Sequence, residues 1–177
     1  MIKKVQVARR EIAINLRREL RHSKDVQKLA IISVCSTEAD IIFTDDVKNC
    51  INCQDVISLV VADITANDLK ISPELLKHYK YFDITMAEKI IKFINRIKEK
   101  DVDLLFIHCD AGQSRSAAIG IWVVRYLKLD ENEFRKEHRM ISPNTLIYDL
   151  LAKTSNLHGD YTKWWEDVDF DPRIRFI

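Results

Sequence analysis

Three short runs of consecutive apolar residues, rich in β-branched side chains, do most to limit what this chain can fold into: Leu29 to Val34, Val56 to Ala62 and Val102 to His108. Continuous rather than alternating hydrophobicity requires both faces of a strand to be covered, which is the situation of central strands in a parallel sheet. Between the second and third runs, Phe82 to Lys100 repeats Ile84, Ala87, Ile90, Ile91, Ile94 and Ile97 at helical spacing, which predicts a crossover helix. A first strand is expected near Lys3 to Val7. An amphipathic surface helix follows over Ala8 to His22, with Ile12, Ala13, Leu16 and Leu20 at helical spacing. Ser116 to Leu127 is apolar nearly all round, the pattern of a buried helix. Glu131 to Arg139 and Pro143 to Ser155 predict two more helices, the second with Pro143 in its first turn. The expected class is α/β: three layers, with a mostly parallel, doubly wound central sheet flanked by helices.

The 177 residues suit one domain spanning the whole chain. The tail from Gly159 to Ile177, with Trp164 and Trp165 side by side, carries no period. With 47% hydrophobic and 31% charged residues, disorder is excluded as the main state. Twenty-eight basic residues against 27 acidic ones leave a net charge of +1. No global field favours nucleic acid or an anionic membrane, so any anion site must be local. The longest apolar runs, Leu104 to Ile107 and Ala117 to Val124, fall far short of the ~20 residues of a bilayer span. The amino-terminal stretch lacks a signal-peptide pattern, so a cytoplasmic location is expected. There Cys35, Cys50, Cys53 and Cys109 are expected as free thiols. Cys50-x-x-Cys53 is half of a zinc or redox site, and His78, His138 and His158 show no metal spacing. No cofactor or metal is expected.

The informative segment is His108-Cys109-Asp110-Ala111-Gly112-Gln113-Ser114-Arg115-Ser116, between a buried strand and a buried helix. Such a loop displays consecutive backbone N–H groups and the positive end of the helix dipole, which together bind an anion. The same field stabilises a thiolate, so Cys109 is placed to be a nucleophile. Arg115 offers a planar fork that matches two oxygens of a tetrahedral oxyanion. Gly112 lets the backbone turn tightly around that anion, and the Ser116 hydroxyl can bond to the Cys109 sulfur as it departs. These groups describe phosphoryl transfer to sulfur and then to water. Asp110, Ala111, Gly112, Gln113 and Ser114 would surround the phosphate together with Arg115.

The nine residues resemble the signature of cysteine-dependent protein tyrosine phosphatases, and the short chain looks like the small dual-specificity branch. Ser142-Pro143-Asn144 looks like the Pro-Asn pair that the family carries after the loop, where Asn144 would support it. His108 is assigned a supporting role. The resemblance implies a phosphotyrosine protein phosphatase-like fold. It also implies hydrolysis of phosphotyrosine or phosphoserine/threonine monoesters through a cysteinyl-phosphate intermediate, on a phosphoprotein or other phosphomonoester. The family also needs a general acid, usually an aspartate upstream. Asp63 emerges at the carboxyl edge of the sheet directly after Val56 to Ala62, where sites in such sheets gather. Val61-Ala62-Asp63-Ile64 resembles the Phe-Asp-Asp-Ile stretch of some microbial relatives, with Ala62 in place of the first aspartate. Asp68 is the alternative acid, and Asp83 is expected to cap the crossover helix.

Asp110 makes highly charged phosphoinositide or polyphosphate substrates less attractive on Coulomb grounds. Other readings stay open at this point: an RNA 5′-triphosphatase or other non-protein phosphatase, a phosphate-binding module without turnover, or an arsenate reductase with Cys53 as the resolving thiol.

Overall fold

The computed structural model describes residues 2–22, 28–43, 50, 52–72 and 74–157. The Trp164-Trp165 tail and His158 lie outside the described residues. Strands β1 (Lys4–Ala8), β2 (Leu29–Cys35), β3 (Cys53–Val60) and β4 (Leu104–His108) form one sheet in the order β1-β4-β2-β3. Every neighbouring pair is parallel, so among the described residues the sheet expected to be mostly parallel is wholly so. Ala8 and Ser33 both pair with His108, and Ser33 with Ser58. All four strands therefore end at the same carboxyl edge.

The apolar runs become strands because they feed two cores at once. All seven residues of β2 are buried. Ala30, Ile32 and Val34 join one core with Leu105 and Ile107 of β4, while Leu29 and Ile31 join the other with Phe106. This alternation is the period of two that a strand imposes on its side chains. The second core is covered by α1 (Arg10–His22) through Ala13 and Leu20.

On the opposite face lie α4 (Ile84–Lys98), α5 (Arg115–Tyr126) and α7 (Thr145–Thr154). The α4 stripe is Met86, Ala87, Ile90, Phe93, Ile94 and Ile97, whereas Ile84 stays exposed. Asp83 caps this helix as expected, its side chain accepting from Met86 N at 2.8 Å. Every residue of α5 from Arg115 to Val124 is buried. A Cβ on Gly120 would stand 2.6 Å from Val7 Cγ1 and 3.0 Å from Phe134 Cζ, so glycine lets β1 and α6 (Glu131–Glu137) close on α5.

Several boundaries differ from those expected. β3 starts at polar Cys53-Gln54-Asp55 and stops at Val60; Asp55 is accommodated by Arg96 Nε at 2.7 Å and Lys100 Nζ at 3.3 Å. β4 begins two residues late, because Asp103 N is engaged by Lys28 O at 2.7 Å. Pro143 lies before α7, not in its first turn: Asn144 is the cap, accepting from Ile147 N at 3.1 Å. Two short helices, α2 (Ala66–Ile71) and α3 (Leu75–His78), were not expected. Among the described residues, no helix is long and apolar enough to cross a membrane.

Candidate active site

The loop from Cys109 to Ser114 leaves the end of β4 and enters α5, as its sequence implied. Its floor is the β1–α1 junction: Cys109 N donates to Ala8 O at 3.3 Å, and Arg10 N donates to Asp110 O at 3.1 Å. Gly112 has φ +73° and an added Cβ would lie 2.5 Å from Arg9 N. Only a residue without a side chain can take that backbone shape against another backbone. The far side of the loop is fastened by Ser142 N to Gln113 O at 2.8 Å and Asn144 N to Ser114 O at 3.2 Å.

Within this frame Cys109 is buried. Its Sγ lies 3.1 Å from Ser116 Oγ and accepts from Gly112 N at 3.2 Å. The sulfur thus sits between a side-chain hydroxyl of α5 and a backbone amide of its own loop. Arg115 is 4% exposed. Its Nη1 donates to Ser36 Oγ at 3.0 Å and to Val61 O at 2.8 Å. Its Nη2 donates to Asp110 Oδ2 at 2.6 Å. The Asp110 side chain therefore faces the guanidinium rather than standing as a free wall of the pocket. Burial opposes its charge, but hydrogen bonds from Ser36 and Arg115 outweigh that and hold its carboxyl below the ordinary range.

Asp63 sits three residues past β3 beside the same loop. Its Oδ1 accepts from Ser114 Oγ at 2.7 Å and Asn144 Nδ2 at 2.8 Å. Its Oδ2 stands 3.8 Å from Arg115 Nε. Asp68 is employed differently: its Oδ2 accepts from Thr65 N at 2.8 Å and Thr65 Oγ1 at 2.7 Å in the capping box of α2. Those Thr65 bonds hold its carboxyl below the ordinary range. His108 is buried beside Phe43, with ring centroids 5.4 Å apart. Neither ring nitrogen meets a side-chain or backbone partner among the described residues. Burial pushes its pKa down to about 4.

Among the other thiols, Cys53 lies far from this constellation and Cys35 ends β2 at its rim. Cys53 pairs with Leu29 at the amino edge of the sheet, the length of an eight-residue strand, about 26 Å, from the carboxyl edge. Its burial pushes the thiol up to about 11, so a resolving role toward Cys109 is lost. Cys35 points to Ser33 Oγ and Asp40 O, and burial raises its thiol too.

Sequence reasoning missed Ser36, Arg10 and Asp40. Ser36 follows β2 at the carboxyl edge, so the edge argument that selected Asp63 would also have found it. Arg10 pairs with Asp40, and its Nη1 lies 4.0 Å from Asp110 Oδ1. A cavity of about 310 Å³ flanks the loop at Gly112 and Gln113, between Val7 and Met140.

No family model and no curated protein matches the sequence. Solved structures do match. Human tyrosine phosphatase-like serine/threonine/tyrosine-interacting protein is 19% identical, with 86% of this chain and 91% of that one covered and a TM-score of 0.54. A mouse dual specificity phosphatase crystallised with zinc tungstate is 14% identical over 86% and 82%, with a TM-score of 0.52. Tk-PTP in its active form is 14% identical over 88% and 92%, with a TM-score of 0.51. The chain has the fold of the small tyrosine and dual-specificity phosphatases.

Proposed function

We propose that this chain is a cysteine-dependent phosphomonoesterase of dual-specificity type acting on phosphotyrosine or phosphoserine/threonine in proteins. The observation that carries the reading is the Cys109 sulfur, which lies 3.1 Å from the Ser116 hydroxyl and accepts from the Gly112 amide, in a loop that leads into a helix and whose Asp110 carboxylate bonds the Arg115 guanidinium.

In the first step the Cys109 thiolate attacks phosphorus, and the bond from phosphorus to the leaving oxygen breaks. Asp63 supplies that oxygen with a proton. Both bonds to Asp63 Oδ1 are donated by neighbours, so the transferable proton belongs on Oδ2, the oxygen turned toward Arg115. Water then attacks the cysteinyl phosphate and returns its proton to Asp63, and the S–P bond breaks with Ser116 bonded to the departing sulfur. Charge developing on the phosphoryl oxygens meets the loop amides and Arg115. Asp68, locked to Thr65, is a poor candidate for the acid.

The substrate class follows from charge. Three carboxylates, Asp63, Asp110 and Asp40, are set against two guanidiniums, Arg10 and Arg115, at this edge of the sheet. A lone monoester suits that charge balance better than an inositol polyphosphate or an RNA triphosphate, whose extra phosphates add negative charge with no further cation in the cluster to meet it. A binding-only reading gains some weight from the human neighbour, whose name is that of a phosphatase-like interacting protein. The presence here of both Cys109 and Arg115 favours turnover.

The test is hydrolysis of para-nitrophenyl phosphate by wild type, Cys109→Ser and Arg115→Ala, with and without EDTA. Turnover in wild type, unchanged by EDTA and abolished in Cys109→Ser with vanadate binding retained, is the expected result. Turnover persisting in Cys109→Ser overturns the covalent mechanism. Phosphopeptides, inositol phosphates and triphosphate RNA then rank the substrates.

A further inference from the structure

We infer that Ser36 and Asp110 form a clamp that fixes Arg115 with one edge of its guanidinium turned to the substrate, making both of them positioning residues rather than phosphate ligands. This rests on the phosphatase reading of the loop.

The donor inventory of Arg115 leads to it. A guanidinium has five N–H groups in one plane. Nη1 uses both of its hydrogens, on Ser36 Oγ and Val61 O. Nη2 uses one on Asp110 Oδ2. Two remain, the Nε–H and the second Nη2 hydrogen, and these lie on the same edge of the plane. Nε is buried and finds no hydrogen-bond partner among the described residues; Asp63 Oδ2 at 3.8 Å is beyond bonding reach. Two parallel N–H groups on one buried edge match the spacing of two oxygens of a tetrahedral oxyanion.

The clamp is a closed ring. Ser36 Oγ accepts from Nη1 and donates its own proton to Asp110 Oδ2 at 2.6 Å, and that oxygen also accepts from Nη2. The other Asp110 oxygen faces Arg10, and the Asp110 carbonyl is held by Arg10 N. The carboxylate thus occupies, with Ser36, the Nη1–Nη2 edge of Arg115, next to the open Nε–Nη2 edge. A free arginine side chain samples many rotamers, and one already fixed by three acceptors loses little freedom when the substrate arrives.

A competing idea makes Asp110 a stand-in for substrate that must be displaced; the two predict opposite signs. The experiment uses the full chain labelled with ¹⁵N, and reads both solvent exchange of the Arg115 Nε–H without ligand and the affinity for orthovanadate. Asp110→Ala and Ser36→Ala should each speed Nε–H exchange by about tenfold or more and weaken vanadate binding by about tenfold. Asp110→Asn, which keeps an oxygen acceptor, should recover most of both. Tighter vanadate binding in Asp110→Ala, or unchanged exchange in both alanine variants, overturns the clamp. If exchange responds as expected but wild type binds no vanadate, the clamp stands and the phosphatase reading falls.

Discussion

Asn144 Nδ2 donates a 2.8 Å hydrogen bond to Asp63 Oδ1 across 81 positions of sequence. The same nitrogen reaches Ile64 O at 3.0 Å, while Asn144 Oδ1 caps α7. One buried amide thereby ties the segment after β3 to the helix that follows the loop. Asn144→Ala removes the cap and strands a buried carbonyl, a loss of about 2 to 4 kcal/mol. Asn144→Asp keeps the cap but sets a carboxylate against Asp63, so it should preserve α7 and still lose activity. Thermal unfolding and turnover of the two variants decide this, and equal activity in wild type and Asn144→Asp would refute it.

Asp63→Asn should slow hydrolysis of a substrate with a poor leaving group by roughly 10²- to 10⁴-fold, and far less for one that leaves without a proton. Asp68→Asn should leave that rate in place and cost about 0.5 to 2 kcal/mol through the α2 cap. Pre-steady-state rates on aryl phosphates of graded leaving-group acidity separate them; the reverse pattern would make Asp68 the acid.

His108 predicts an acid-sensitive core. Burial, outweighing the pull of the nearby Asp110 charge, lowers its pKa to about 4 from 6.5. Between those values the unfolded chain binds the proton and the folded one does not, so stability is intact above pH 6.5 and falls as pH drops toward 4. The loss amounts to about 3 kcal/mol. His108→Phe, set beside Phe43 and Phe106, should lack this component. Urea unfolding of both proteins from pH 7 to 4 should give curves that diverge below 6.5, and parallel curves would rule the assignment out.

Gly112→Ala and Gly120→Ala should fail in different ways. At Gly112 the new methyl meets the backbone of Ala8 and Arg9 at a positive φ, so the loop itself must move and activity should vanish. At Gly120 it meets the Val7 and Phe134 side chains, costing about 1 to 3 kcal/mol by overpacking. The folded fraction of Gly120→Ala should then keep its turnover. Activity normalised to folded protein, measured by circular dichroism alongside the assay, tests the contrast.

The sheet was legible because Leu29 to Val34 and Leu104 to His108 bury both faces, and continuous hydrophobicity reports that condition directly. The placement of Cys109 and Arg115 was legible because one local segment carries them between two patterned elements. Ser36, Asp40 and Arg10 were not, since their roles arise only when separate strand ends meet at one edge. Asp110 was expected to line the phosphate pocket, yet its side chain is turned to Arg115 by a serine 74 positions away. The short α2 and α3 lie below the length at which periodicity is visible. The polar start of β3 was missed because its compensating cations, Arg96 and Lys100, come from α4 and the turn after it.

The pairing of Lys4 with Leu104 and of Ala8 with His108 has a consequence for how the protein comes into being. β1 leaves the ribosome well before β4, its one neighbour in the sheet among the described residues. It must wait for about a hundred further residues before it can dock, the kind of long-range closure that slows folding. Because Ala8 and Arg9 are also the floor of the loop, the pocket cannot be completed before that closure. Completion of the pocket in a synthesising chain would therefore be a clock for the joining of β1 to β4.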